Sequence, residues 1–128
     1  MIVADTDVLI DFLRGQGAAA DQVAREIERG LATTVVTAFE LWAGSLGAPR
    51  REQAVETLLG ALTILPLEAE DARSAAAVRR GLEGSGRAIG MADSLIAGIC
   101  IRRRVALLTR NRAHFERVSG LTFGPAAE

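Results

Sequence analysis

Short, continuous apolar runs alternate along the chain with longer segments in which apolar residues recur every three to four positions. The runs are Ile2–Ala4, Thr33–Val36, Leu62–Leu65 and Val105–Leu108, with a weaker one at Leu121–Phe123. They are continuous rather than alternating, as expected of strands covered on both faces. Helical spacing predicts helices over Asp7–Leu13, Ala18–Arg29, Thr37–Ser45, Pro49–Leu59, Glu68–Leu82 and Ala88–Arg103. Thr37 followed three positions later by Glu40 reads as a capping box. Pro49 suits a first helical turn, and Gly81–Gly86 reads as an internal loop. Strands alternating with helices imply right-handed crossovers and a mainly parallel sheet with helices on both sides. This is an α/β fold whose ligands gather outside the carboxyl ends of the strands, at a topological switch point.

Length and composition narrow the picture. The 128 residues suit one domain over 1–124, with 125–128 as a frayed tail, and 49% apolar with 24% charged residues is a globular balance. Fifteen cations against sixteen acids leave a net charge of -1, whereas a protein that coats nucleic acid with its whole surface is usually far more basic. Every cation is Arg, so any mechanism that needs a lysine is excluded. The single cysteine, Cys100, rules out an intramolecular disulfide and a thiolate zinc cage, fits a reducing cytoplasm, and reads as a small core residue. Asp5 comes too early for a secretory signal, and no apolar stretch reaches the ~18 residues of a membrane span. The expectation is a soluble cytoplasmic protein.

Candidate chemistry collects at the strand ends. Asp5 closes the first run, with Thr6 and Asp7 leading into a helix; Asp7 reads as the cap and Asp5 as the side chain pointing into the crevice. Glu40 follows the second run, flanked by Phe39, Leu41 and Trp42; helix-dipole or capping duty is its plainer reading. Asp93 stands beside an apolar stripe of Leu95, Ile96, Ile99 and Cys100, where a carboxylate is costly unless something pairs with it. After the fourth run come Thr109, Arg110, Asn111 and Arg112, then His114 and Phe115. Thr109 and Asn111 also fit ordinary turn chemistry, and His114 reads first as a packing or helix-end residue. Taken together, three carboxylates and an Asn fall at or beside consecutive strand ends. Oxygen-only ligands favour Mg²⁺ or Mn²⁺ over zinc, and such cations in acidic clefts usually act on phosphates. Metal-dependent phosphodiester hydrolysis is the resulting reading.

At this point the sequence resembles a PIN-domain nuclease, and more narrowly a VapC-type toxin of bacterial toxin–antitoxin pairs. The residues that carry the resemblance are Asp5 to Asp11, Thr37 to Leu41 with Gly44, Asp93 to Ala97, and Leu108 to Asn111 with His114 and Phe115. It spans Ile2 to about Phe123. It implies a three-layer α/β/α fold, a Mg²⁺ or Mn²⁺ site and cleavage of RNA by a metal-activated water. The family's acidic quartet falls on Asp5, Glu40, Asp93 and Asn111, the first three as metal ligands. Asn111 departs from the Asp of many relatives and adds no negative charge. Thr6, Asp7 and Thr109 are supporting groups. The resemblance also implies a cognate antitoxin, a toxin homodimer and a toxin–antitoxin hetero-oligomer. Phe39, Leu41, Trp42 and Leu46 suit an antitoxin groove, although a core assignment is the plainer reading for most of them.

If RNA is the substrate, phosphate contacts fall to Arg87, Arg110 and Arg112; the run Arg102–Arg104 reads instead as a helix C-terminal turn. Two rivals remain. A haloacid-dehalogenase-like phosphatase also opens on Asp5-Thr6-Asp7-Val8 with Asp5 as nucleophile, but no paired acids follow a late strand here. A non-catalytic binding module with a PIN-like fold is the other.

Overall fold

The computed structural model describes residues 1–86 and 88–125. Four three-residue strands, β1 (Ile2–Ala4), β2 (Ala32–Thr34), β3 (Thr63–Leu65) and β4 (Ala106–Leu108), form a sheet of order β3-β2-β1-β4 in which every pairing is parallel. The predicted runs are therefore all present, with β2 ending before Val35. The weak fifth run contributes one bridge, Phe123 to Leu107, rather than a strand.

Between β1 and β2 lie α1 (Thr6–Leu13) and α2 (Gly17–Glu28); between β2 and β3 lie α3 (Val35–Ser45) and α4 (Pro49–Gly60). Between β3 and β4 lie α5 (Ala69–Gly84) and α6 (Met91–Arg103), and the short α7 (Arg112–Phe115) follows β4. Successive residues of each strand point to opposite faces, so one short run serves two cores. Val3 and Leu107 face a core with Ile96, Ile99 and Phe115, whereas Ala4 and Leu108 face a second with Leu9, Val23 and Leu58. The result is the expected three-layer α/β/α sandwich.

Several boundaries differ from expectation for local reasons. Thr34, not Thr37, caps α3: its Oγ1 accepts from the Thr37 N–H at 3.1 Å. Glu40 consequently sits in the second turn and closes no capping box. The helix predicted from Ala88 begins at Met91, because Gly90 stands extended (φ -63, ψ 163) as its N-cap. The loop predicted at Gly81–Gly86 is helical as far as Gly84. Cys100 is buried as expected, and burial, with the charge of Asp5 added, pushes its thiol up to about 12. Phe39 (67% exposed) and Trp42 (40%) on α3, and Leu46 (78%) just past its end, are exposed, so only Leu41 of that group joins the core. Among the described residues, no helix is long and apolar enough to cross a membrane. Of the tail, Pro125 is anchored through its carbonyl, which accepts from Gln22 Nε2 at 2.7 Å; residues 126–128 lie outside the described residues.

Arg102 and Arg103 do more than face a helix dipole. Arg102 Nε and Arg103 donate to Asp71, and both guanidinium groups also reach Glu68 Oε1, at 2.9 and 2.8 Å. Asp71 is fully covered and also accepts from the Glu68 N–H at 2.8 Å, which closes a capping box on α5. Burial pushes its carboxyl up, but the bonds from Arg102, Glu68 and Arg103 together outweigh it and hold the group below the usual range. A carboxyl depressed in this way stabilises the fold above its ordinary range, and the contribution fades as pH falls through the lower native value. Asp71→Asn is accordingly expected to cost roughly 1–3 kcal/mol at neutral pH, read as a lower urea midpoint, and to cost progressively less on acidification.

Candidate active site

The strand order supplies the cleft. The chain runs outward from β1 to β2 to β3 and then returns to the other side of β1 as β4, so the switch point lies between β1 and β4. The ladder between these strands continues one step further, with Asp5 N–H donating to Leu108 O at 2.9 Å. That step places Asp5 and Thr109 side by side at the carboxyl edge.

Asp5 is 5% exposed and is itself the N-cap of α1, contrary to the assignment of that duty to Asp7. Its Oδ1 accepts from Thr6 N–H and its Oδ2 from Thr109 Oγ1, each at 2.8 Å. Asp7, in the first turn, lies with Oδ2 at 3.3 Å from the same Thr109 hydroxyl, and its Oδ1 accepts from the Arg110 N–H at 3.3 Å. Thr109 Oγ1 also accepts from the Asn111 N–H at 3.0 Å. One hydroxyl therefore ties β4's end to Asp5, the cap of α1, and to Asp7 in its first turn. Burial, followed by the charge of Asp7, pushes the Asp5 carboxyl up to about 6; the bonds from Thr109 and Thr6 pull the other way, and Asp93 adds further repulsion.

Glu40 reaches the same edge through Thr6, whose Oγ1 donates to Glu40 Oε1 at 2.7 Å and lies 3.0 Å from Thr37 Oγ1. Asp93 stands in the first turn of α6, half-buried, with Oδ2 at 3.0 Å from His114 Nε2. His114 in turn packs edge-on against the buried Phe115 ring, with centroids 5.4 Å apart. Asn111 is exposed at the start of α7.

The arrangement thus joins Asp5, Thr6, Asp7, Glu40 and Thr109 by direct hydrogen bonds, with Asp93 near enough to repel Asp5. It does not gather the predicted ligand trio at one point. Among the described residues, no three His, Cys, Asp or Glu side chains close into a group that would hold a metal ion directly. Glu40 stands behind the Thr6 hydroxyl, and His114 occupies one oxygen of Asp93. Two of the predicted phosphate contacts are engaged internally: Arg110 Nε bonds Asp11 Oδ2 at 2.9 Å, and the Arg112 guanidinium lies 4.8 Å over the Phe123 ring. Arg87 lies outside the described residues.

Sequence reasoning read His114 first as a packing or helix-end residue and gave Asp11 no role of its own, so it missed the partners that both have here. The signal for His114 was the requirement that Asp93 have a partner, in a chain with one histidine. For Asp11 it was the spacing of four from Asp7, which puts both acids on one face of α1.

A hard divalent cation fits the donor chemistry. The donor atoms on offer are oxygens, the described partners of Asp5 and Glu40 are neutral hydroxyls and one backbone N–H, and the Asp5 carboxyl is pushed up to about 6 first by burial and then by the charge of Asp7. Mg²⁺ commonly keeps several waters and takes only one or two carboxylates directly, so carboxylates spread along a rim are compatible with it.

Comparison with known proteins identifies the family of the chain. Residues 2–121 match the PIN domain family. Ribonuclease VapC10 of Mycobacterium tuberculosis is 39% identical over 116 residues, 90% of this chain and 86% of that protein. The tRNA(fMet)-specific endonuclease VapC of Shigella flexneri is 29% identical over 120 residues, 91% of each. Among solved structures, VapBC2 from Rickettsia felis bound to a DNA fragment of its promoter superposes with a TM-score of 0.86 at 22% identity, covering 97% of this chain and 98% of that one. DNA-bound VapBC from Salmonella typhimurium superposes with a TM-score of 0.84 at 23% identity, covering 96% of each chain.

Proposed function

The chain belongs to the PIN-domain family, and from that premise we propose that it is a Mg²⁺- or Mn²⁺-dependent endoribonuclease acting in the cytoplasm as the toxin of a toxin–antitoxin pair. The observation that carries the reading is the buried Asp5 carboxyl at the β1–β4 switch point, raised to about 6 beside Asp7 and Asp93. Such a group gains most from a cation that relieves its burial.

Asp5, Asp93 and Glu40 would hold the cation, with the Asn111 side-chain carbonyl at the rim. Bound there, it supplies electrophilic stabilisation of the scissile phosphate and of the attacking water. The surrounding side chains orient these donors. Thr109 holds Asp5 Oδ2 and Thr6 N–H holds Oδ1, so the carboxylate plane is fixed at the crevice. The Thr6 hydroxyl positions Glu40, and His114 positions Asp93. Arg110 and Arg112, beside Asn111, would meet the RNA at this edge. Partners follow from the same reading: a cognate antitoxin covering Phe39 and Trp42 on α3 with Leu46 just past its end, and a toxin homodimer within a hetero-oligomer.

Neither rival is favoured. The chain matches the PIN family rather than a phosphatase, and its Asp5 is locked by bonds to both oxygens. A binding module without catalysis has no need of a buried carboxyl held near 6.

The protein, purified free of any partner, is expected to cleave RNA at millimolar Mg²⁺ or Mn²⁺. EDTA should stop the reaction, re-added metal should restore it, and p-nitrophenyl phosphate should remain intact. RNA left whole with both metals sinks the nuclease reading, and turnover of the small ester transfers it to the phosphatase.

A further inference from the structure

A cavity of about 310 Å³ adjoins the acidic cleft across Thr109, walled by Asp11, Thr109, Arg110, Arg112, Phe123 and Pro125. The Gly17–Ala19 segment at the start of α2 also lines it, with side chains too small to fill it. Resting on the ribonuclease reading, we propose that this cavity is the binding site for one unpaired nucleobase of the RNA, next to the phosphodiester that is cleaved.

Three features carry the assignment. First, the cavity offers planar stacking surfaces. The Arg112 guanidinium lies over the Phe123 ring at 4.8 Å, and unpaired bases stack on aromatic rings and guanidinium planes alike. Second, the aromatic wall is held in place. Leu107 N–H donates to Thr122 O and Gly124 N–H donates to Leu107 O, each at 2.9 Å, so backbone bonds on both sides pin Phe123 against β4. Gln22 anchors Pro125 beyond it at 2.7 Å. Third, the polar groups suit a base edge. The Asp11–Arg110 pair, 2.9 Å apart, presents an acceptor and donors at one wall, while apolar atoms line the remainder. A base has this character, apolar on its faces and hydrogen-bonding at its rim; a phosphate does not.

The shared wall fixes the location relative to the chemistry. Thr109 lines the cavity and also holds Asp5 Oδ2 at 2.8 Å, so a base seated here lies beside the acidic centre. Asp11 and Arg110 are thereby specificity-determining groups, and Phe123 with the Arg112 guanidinium over it is the stacking platform.

The test measures binding of a single-stranded RNA oligonucleotide in EDTA, where it stays uncleaved. Phe123→Leu, which keeps apolar bulk but removes the ring, is expected to weaken binding roughly ten-fold, and Phe123→Trp to retain it. An abasic sugar at one position should weaken wild type by the same factor, and Phe123→Leu should cost nothing further with that oligonucleotide. In the wild-type protein, 2-aminopurine at that position should be quenched on binding, which keeps the proposal open to refutation even if the Leu variant folds poorly. Equal affinity of wild type and Phe123→Leu overturns the proposal. So does an identical loss on intact and every abasic RNA, or the absence of quenching at every position. Such results leave metal-dependent cleavage by wild type untouched, whereas failure of the ribonuclease reading removes that cleavage itself.

Discussion

Asp5→Asn is expected to lower RNA cleavage by roughly a hundred- to a thousand-fold while making the metal-free protein more stable above pH 6. The two effects have one origin. The native carboxyl titrates at about 6 against an ordinary 3.8, because burial and the negative charges of Asp7 and Asp93 disfavour its ionised form. Between those values the folded protein binds more protons than the unfolded chain, so stability falls as pH rises through the window and stays low above it. A shift of about two units corresponds to at most about 3 kcal/mol. Asparagine removes that cost but keeps only one acceptor for the two donors, Thr6 N–H and Thr109 Oγ1, returning about 1 kcal/mol. Thermal unfolding in EDTA should therefore show the variant ahead of wild type at pH 8 and slightly behind at pH 3.5. Millimolar Mg²⁺ should raise the wild-type midpoint and leave the variant's nearly unchanged. A variant that is no more stable at pH 8, or that still cleaves RNA at the wild-type rate, contradicts the role given to Asp5.

Much of the framework was readable from local pattern because the sheet is parallel and covered on both faces. Ile2–Ala4 and Val105–Leu108 had to be strands between helices, which put Asp5 and Thr109 at adjacent ends. Periodicity was a weaker guide where two readings share the same residues. Val35 and Val36 are β-branched and extend the second run, yet the Thr34 side chain captures the Thr37 N–H and starts the helix there. Phe39, Trp42 and Leu46 have helical spacing, but spacing alone does not separate a face turned to the core from one left outside. Pairings distant in sequence were the least legible. That Asp93 needed a partner followed from solvation, whereas His114 as that partner depended on how α7 folds back after β4. The layout of the acidic residues was illegible for a related reason: Asp5, Glu40 and Asp93 sit on three elements, and the Thr6 hydroxyl that bonds Glu40 lies 34 positions away in sequence.

Gly98→Ala is expected to be the most destabilising single methyl in the protein, at about 2 kcal/mol net and on the order of 6–10 °C in the unfolding midpoint. A Cβ at this position would stand 2.6 Å from Ala75 N, 2.7 Å from Ala75 Cβ and 2.7 Å from Asp71 O. Two of those atoms belong to the α5 backbone, so no side-chain rotation relieves the contact and the helices must separate. Alanine's better helix propensity, about 1 kcal/mol over glycine, offsets only part of this. Ala75→Gly in the same chain removes one of the three contacts and should restore only a fraction of the loss. Separation of α5 from α6 also disturbs the ends of α6, where Arg102 meets Asp71 and, at the other end, Asp93 meets His114. Cleavage should consequently fall with stability, but the pH dependence of stability between 3.8 and 6 should stay close to its wild-type shape, because Thr6, Asp7 and Thr109, which bond or most strongly repel Asp5, belong to other elements and α6 supplies only the weaker repulsion of Asp93. That profile separates Gly98→Ala, which loosens the scaffold, from Asp5→Asn, which flattens the profile by removing the charge. A Gly98→Ala protein with an unchanged unfolding midpoint would mean that α5 and α6 are not in close backbone contact at this crossing.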